Sequence, residues 1–283
     1  MNEKQMQLFD QTTYNISKLV TNSYSTSFSF ATSLMNKEHR TAIYSIYGFV
    51  RFADEIVDTF HEFDKNYLLN KFEEDLKIAF SKGISLNPIL HSFQLTVKKY
   101  NIPQTYIDAF LTSMKSDLEK KDFKTKLEAD NYIYGSADVV GLMCLRVFCD
   151  GNNDQFEKLY KPAMSLGSAF QKVNFLRDLK TDTEILGRSY FPNLNYNNFN
   201  EETKIKIISD IEEDFRKAYI GIKQLPEDSK IAVYVAYLYY KSLLEKIKKA
   251  PAGKIQEIRI RISNLKKIMI LLKAVSLGKL KLI

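Results

Sequence analysis

Hydrophobic positions recur at three- and four-residue spacing along most of the chain. Between Thr41 and Phe60 one apolar stripe consists of Ile43, Ile46, Tyr47, Val50, Ala53 and Val57. This spacing places the apolar side chains on one face of an α-helix, whereas stretches that alternate like a β-strand are few. The pattern therefore predicts an all-α protein.

Proline, glycine and capping residues then set the helix limits. The predicted helices cover residues 3–20, 25–34, 38–60, 63–82, 86–99, 104–119, 126–149, 153–182, 199–222, 227–250 and 256–277. Merged or broken helices within this set are left open. Thr125 and Glu128 have the spacing of a capping box before the helix at 126–149. The segment 183–198, with Gly187, Pro192 and four asparagines, predicts a long loop.

The domain organisation follows from the absence of breaks. No linker rich in Pro, Gly or Ser divides the 283 residues, and no repeat of 20–50 residues is evident. The helix predicted at 126–149 is apolar on more than one face, which is typical of a helix at the centre of a bundle. We therefore expect a single helical domain over residues 1–283.

The amino-acid composition excludes or disfavours several classes of protein. With two cysteines, a disulfide scaffold is excluded. The net charge of +7 is mildly basic, but basic and acidic residues are intermixed, which does not favour nucleic-acid binding. The sequence shows no signal-peptide core and no run of about 18 uncharged apolar residues. These features predict a cytoplasmic protein without a transmembrane helix.

Two pairs of aspartates are the first candidate chemistry. Asp54 and Asp58 are four residues apart, and so are Asp178 and Asp182, so each pair lies on one helix face. Like charges at this spacing repel by a few tenths of a kcal/mol. A divalent cation reverses that effect, and Mg²⁺ prefers carboxylates together with substrate phosphates. Such pairs also arise by chance on solvated faces, so the spacing alone leaves both interpretations open.

Polar neighbours strengthen the first interpretation. Arg51 precedes the first pair, while Gln171, Asn174 and Arg177 precede the second on an otherwise apolar helix. A polar stripe on such a helix faces either a polar cavity or solvent. Ser25 and Ser27, in a charge-free run of hydroxyls and aromatics near a helix start, suit either an anion or a simple helix cap.

These motifs together resemble the squalene/phytoene synthase family, over about residues 15–275. The matching segments are Tyr24–Phe28, Tyr47–Asp58, Tyr132–Gly135 with Val140–Gly141, Leu166–Asp178 with Asp182, Gly187–Pro192 and Arg261–Lys267. The Gly187–Pro192 segment is similar to the family's Gly-Arg-x-Tyr-x-Pro. Tyr24 stands where many members have His, and Leu179–Thr181 replaces a common Val-Gly-Glu, which changes the charge beside the second pair.

The resemblance implies an all-α isoprenoid-synthase bundle with a central cavity. It implies Mg²⁺-dependent head-to-head condensation of two prenyl diphosphates, with Mn²⁺ as a possible substitute. The reaction favoured here joins two geranylgeranyl diphosphates to phytoene through a cyclopropyl (prephytoene) diphosphate, in carotenoid biosynthesis. The alternatives are farnesyl diphosphate to dehydrosqualene or squalene, the latter with NADPH, which is disfavoured but not excluded. An inactive helical assembly factor of the superfamily is disfavoured because both aspartate pairs are present.

The resemblance also assigns roles to residues. Those implied to be catalytic are Tyr47, Arg51, Asp54, Asp58, Tyr132, Asp178 and Asp182. Those implied to bind the substrate diphosphate are Ser25, Ser27, Arg51, Gln171, Asn174, Arg177, Tyr240 and Arg261. Those implied to bind metal are Asp54, Asp58, Asn174, Asp178 and Asp182. Thr32 and Tyr44, one to two turns from these motifs, are candidates for limiting the depth of the cavity.

The C-terminal end carries a further hypothesis. Basic residues occur beside the apolar run 268–272 and are Arg259, Arg261, Lys266, Lys267, Lys273, Lys279 and Lys281. A basic amphipathic helix can bind the surface of an anionic membrane. The alternative is a final helix packed on the core with a solvated basic face, so peripheral contact with the inner membrane face is an open expectation.

Overall fold

The computed structural model describes residues 3–120, 122–184, 186–192, 199–280 and 283, and over these residues the chain is helical without a β-strand. The helices are α1 (Glu3–Tyr24), α2 (Thr26–Thr32), α3 (Lys37–Asp58), α4 (Lys65–Lys82), α5 (Pro88–Tyr100), α6 (Gln104–Glu119), α7 (Lys126–Ile133), α8 (Val139–Cys149), α9 (Asn153–Arg177), α10 (Leu179–Glu184), α11 (Glu201–Ile222), α12 (Glu227–Lys249), α13 (Ala252–Glu257) and α14 (Asn264–Lys279). A π-helical turn, Tyr134–Asp138, joins α7 to α8. The all-α prediction is confirmed.

Local sequence explains most helix ends. The side chains of Asp64, Asn87 and Asn152 accept hydrogen bonds from backbone N–H groups in the first turns of α4, α5 and α9. The capping box predicted at Thr125 and Glu128 is present in full at the start of α7. These caps satisfy N–H groups that have no partner within the helix.

Three predicted helices are interrupted. The helix predicted at 153–182 is wrong as one element, because Asp178 leaves helical geometry (φ −102°, ψ 10°) where its neighbour Arg177 and the distant Arg259 both pair with its carboxylate. The prediction at 256–277 is also wrong, since the chain is extended between α13 and α14 and buries Ile260 there. The helix at 126–149 contains the π-helical turn. Within the predicted loop 183–198, residues 186–192 are not helical, and residues 185 and 193–198 lie outside the described part.

The core lies between two helix groups. Helix α9 packs against α11, α8 and the π-helical turn, while α3 packs against α1 and α5. At the centre of the second group the ring of Phe49 stacks on that of Phe93 at 4.0 Å between centroids. A separate small cluster, the aromatic cluster, consists of Phe123, Ala129, Tyr132, Ile133, Phe175 and Tyr190. It lies directly behind the site described below.

One helical stretch is long and apolar enough to cross a membrane by length and composition. It is Lys126–Cys149, and 61% of its most apolar window is buried inside the protein. Core helices of soluble proteins have the same composition, so burial accounts for the apolar character of this segment.

Candidate active site

The first aspartate pair lies at the C-terminal end of α3, beside Arg51. The Arg51 guanidinium donates to the Asp54 carboxylate at 2.6 Å and also bonds to Glu55. The same guanidinium lies 4.4 Å from the centroid of the Tyr24 ring. Tyr24, the residue that departs from the common family pattern, therefore packs against the first acidic motif.

The second pair lies where α9 gives way to α10. Arg177 bonds to the Asp178 carboxylate at 2.5 Å, and Arg259 approaches the same carboxylate at 2.7 Å. The backbone N–H of Asp182 donates to the Asp178 carbonyl at 2.9 Å, which continues the turn into α10. The adjacent Arg177 and the distant Arg259 thus hold Asp178 where the helix breaks.

Arg188 connects the two acidic motifs. Its guanidinium, only 6% exposed, bonds to Asp58 at 2.7 Å and to the Asp117 carbonyl at 3.0 Å. Its backbone N–H donates to the carbonyl of Asp182 at 2.7 Å. The Gly187–Pro192 motif therefore places an arginine between α3 and α10, a role that the site assignment from sequence did not include.

The carboxylates are close enough to affect one another. Burial, followed by the negative charge of Asp58, raises the pKa of Asp54 to about 7. Burial, followed by the charges of Asp178 and Asp58, raises the pKa of Asp182 to about 8. Since Arg188 bonds both to the Asp58 carboxylate and to the Asp182 carbonyl, the two acidic motifs, which lie on different helices, face one another across this arginine.

A second wall of the site comes from α2 and α12. Ser25 caps α2 by accepting from the Phe28 N–H at 3.2 Å, and the Phe28 ring stacks on that of Tyr47. The Tyr240 hydroxyl donates to the Asn174 side-chain oxygen at 3.3 Å. Burial raises the pKa of Tyr47 to about 12, and the positive charge of Arg51 acts against this rise.

The remaining predicted residues are placed as follows. Gln171 donates from Nε2 to the Ser136 hydroxyl at 3.3 Å and accepts from Asn174 at 3.4 Å. Ser27 is half-buried on α2. Tyr132 is buried in the aromatic cluster, and its hydroxyl donates to Asp117 at 2.8 Å. Tyr132 therefore supports Arg188 indirectly, through Asp117.

The C-terminal arginines differ in position. Arg261 is exposed, and its carbonyl accepts from Lys246 at 2.7 Å. Arg259, which the site prediction did not include, makes the ion pair with Asp178 described above. The signal was present as Arg-Ile-Arg, but two residues that are two apart in an extended backbone lie on the same side, so the sequence did not show which arginine reaches Asp178.

The cavity-depth candidates are both buried. Thr32 is 1% exposed, and its hydroxyl has no hydrogen-bond partner in the described part of the protein. Tyr44 is 5% exposed and borders a cleft that also contains Lys18 and Arg40. The central cavity and the influence of these two residues on substrate length stay predictions.

The comparisons with known proteins agree with this geometry. Residues 21–266 match the family model described as squalene/phytoene synthase. The chain belongs to this family. The squalene/phytoene synthase match includes both aspartate motifs, the Gly187–Pro192 segment and Arg259.

The chain is similar to phytoene synthases and to a diapophytoene synthase. The chain is 30% identical over 264 residues to a 15-cis-phytoene synthase from Synechocystis sp., covering 83% of this chain and 76% of that protein. It is 26% identical over 251 residues to a 4,4'-diapophytoene synthase from Staphylococcus haemolyticus, covering 80% and 84%. It spans only 62% and 58% of the length of two chloroplastic phytoene synthases from Zea mays that it matches.

Solved structures support the fold. A dehydrosqualene synthase superposes with a TM-score of 0.82 at 21% identity, covering 95% of this chain and 98% of that one. A squalene synthase from Alicyclobacillus acidocaldarius superposes with a TM-score of 0.74 at 20% identity, covering 85% and 94%. The helical fold predicted by the resemblance is thus confirmed.

Proposed function

We propose that this squalene/phytoene synthase family member is a prenyltransferase that condenses two prenyl diphosphates head to head. The observation that carries the proposal is the facing pair of aspartate motifs, each with arginine partners. A diphosphate that leaves an allylic carbon develops negative charge, and donors already in position stabilise that charge. Arg51 and Arg177 would serve here, with Ser25, Ser27, Gln171, Tyr240 and Arg261 or Arg259 as further phosphate contacts.

The donor set fits Mg²⁺. Over the described residues no three His, Cys, Asp or Glu side chains lie close enough together to hold a metal ion. Mg²⁺ is commonly held by one or two carboxylates with substrate phosphates and water, so its site is completed by the substrate. Asp54, Asp58, Asn174, Asp178 and Asp182 would hold it. Burial and neighbouring carboxylates raise the pKa of Asp54 and Asp182, and a bound cation would offset that repulsion. When bound, Mg²⁺ would neutralise the departing diphosphate.

Aromatic side chains would protect the cationic stage of the reaction from water. Phe28 and Tyr47 stack at 4.9 Å between centroids, and Phe170 and Tyr240 stack at 3.9 Å. Both pairs lie beside predicted phosphate-binding residues. Their faces can stabilise a nearby cation, and their bulk excludes water.

The preferred reaction is two geranylgeranyl diphosphates to phytoene through prephytoene diphosphate. Its support is the similarity to the Synechocystis phytoene synthase over most of both chains. The second candidate is farnesyl diphosphate to dehydrosqualene, which the similarity to the diapophytoene synthase favours. Product analysis with each substrate separates them, and farnesyl-derived products alone would overturn the preference.

The proposal is tested with purified protein, Mg²⁺ and each diphosphate. Asp54→Asn and Asp178→Asn should each lower turnover about a hundredfold or more, because each removes charge that holds the diphosphate complex. A matched control is Asp210→Asn. Asp210 on α11 is also four residues from another aspartate, Asp214, but both pair with Lys172 of α9. Unchanged turnover in both active-site variants would end the assignment.

A further inference from the structure

The outer face of α14 is apolar although it is exposed. Leu265, Ile268, Met269 and Leu272 are 70%, 48%, 56% and 62% exposed. Their spacing of three and four residues makes one continuous stripe, while Ile270 and Ala274 on the opposite side are buried. The solvent face of the final helix is therefore apolar along its centre rather than purely basic.

Helix α2 packs beside α14. The Lys267 ammonium of α14 donates to the Thr26 hydroxyl of α2 at 2.9 Å. Phe30, one turn further along the same side of α2, is 44% exposed. We call Leu265, Ile268, Met269, Leu272 and Phe30 the docking face.

Positive charge borders this face. Lys266 and Lys273 are exposed on one flank of the stripe, and residues 264–279 contain no acidic residue. Phe30 also lines a cleft of about 350 Å³ whose charged residues are Lys18 and Arg40 and whose hydroxyls include Ser29. An occupant should therefore be apolar at its centre and negatively charged at its edge.

We infer that the docking face binds the surface of an anionic lipid bilayer. Apolar side chains at the centre would enter the acyl boundary, while the flanking lysines and the cleft of Lys18 and Arg40 would meet anionic headgroups. A second copy of the chain fits less well, because a twofold contact would bring the same lysines together without acidic partners. This inference goes beyond the proposed condensation, and its test does not require turnover.

The test is sedimentation of the full chain with vesicles. We expect binding to vesicles of equal parts phosphatidylcholine and phosphatidylglycerol at low salt, weaker binding at about 1 M salt, and little binding to phosphatidylcholine alone. The triple variant L265Q/M269Q/L272Q should bind anionic vesicles at least tenfold more weakly. K266E/K273E should lose binding mainly at low salt.

Matched controls separate this surface from general hydrophobicity. Leu86 and Leu127 are 94% and 69% exposed elsewhere, and L86Q/L127Q should bind vesicles like the wild type. Circular dichroism melting checks that each variant folds. Asp54→Asn should bind vesicles unchanged, so loss of turnover and loss of membrane binding are distinguishable.

Three outcomes would overturn the inference. One is no sedimentation of the wild type with anionic vesicles at low salt. Another is an equal loss in L86Q/L127Q. The third is a dimer that L265Q/M269Q/L272Q abolishes while vesicle binding is absent, which would show that a second copy covers this face.

Discussion

Arg188 shows how one side chain organises the two acidic motifs. It is nearly fully buried and contacts Asp58, the Asp117 backbone and the hydroxyl of Tyr190 at 3.3 Å. A buried charge is tolerated only when its partners surround it, and removal of one partner leaves the others unpaired. The residue therefore contributes to folding as well as to the site.

Arg188→Gln should lower the free energy of unfolding by about 3 kcal/mol, because Asp58 and Asp117 lose their cation. Urea denaturation measures the change. The control is Arg216→Gln, whose solvent-exposed ion pair with Glu213 should change the free energy of unfolding far less than Arg188→Gln does. Equal losses in the two variants would contradict the structural role of Arg188.

Arg259 and Arg261 offer a direct comparison of two neighbouring arginines. Because Arg259 pairs with Asp178 at 2.7 Å, Arg259→Gln should lower kcat/KM at least tenfold, and Arg261→Gln by less than Arg259→Gln. Steady-state kinetics with the active substrate decides this. The reverse order would restore Arg261, as assigned from the sequence, as the phosphate contact.

Asp138 is not one of the predicted metal ligands, and it allows a test of how the stability of the protein depends on pH. It is buried on the π-helical turn and accepts from the Ser168 hydroxyl at 2.8 Å. Burial raises its pKa to about 7; Ser168 and Lys172 act against the rise, whereas Asp214 and Asp130 add to it. The folded protein therefore binds this proton more tightly than the unfolded chain does.

The contribution of Asp138 to the free energy of unfolding should consequently fall as pH rises from about 4 through 7, because the folded state must then hold a buried charge. Asp138→Asn removes that cost. At pH 8 the variant should be more stable than the wild type by on the order of 1–3 kcal/mol, with a smaller difference at pH 5. Thermal melts at both pH values check this, and a constant difference would contradict the raised pKa.

At the scale of elements, the π-helical turn depends on close approach by its neighbours. A Cβ added at Gly135 would lie 2.6 Å from the Ala109 carbonyl oxygen and would overlap the Ser113 hydroxyl on α6. A Cβ at Gly167 on α9 would lie 2.8 Å from the Ala137 carbonyl oxygen of the same turn. Both glycines therefore allow the turn to pack between α6 and α9.

Gly135→Ala should destabilise the protein by about 2 kcal/mol or more, because α6 must move to admit the methyl group. Gly253→Ala is the control, since a Cβ there meets no atom within 4 Å. In helix α13 that change should be neutral or slightly stabilising. Chemical denaturation of both variants is the measurement, and a neutral Gly135→Ala would show that the turn can shift freely.

At the scale of the molecule, the single domain predicted over residues 1–283 can be tested directly. One large core contains buried residues from the helices α2 to α14 except α7, whose buried residues belong to the aromatic cluster. We expect one cooperative unfolding transition by calorimetry, with equal calorimetric and van't Hoff enthalpies. Two separated transitions would show that the chain folds as more than one unit.

Helix type and helix position were largely determined by the sequence itself. The three- and four-residue spacing of apolar side chains, with caps such as Thr125, defines elements through neighbours in the chain, and these interactions are local. The spacing of Asp54 with Asp58 likewise follows from helix geometry alone. The family motifs added the order of the site segments.

Only the tertiary structure decided which of these segments meet. The break at Asp178, the position of Arg188 between two motifs and the choice of Arg259 over Arg261 depend on residues far apart in sequence. The same holds for α14: the sequence left open whether its apolar run faces the core or a membrane, and packing places Leu265 and Leu272 outward. Periodicity gives the faces of a helix, but packing against distant elements decides which face is buried.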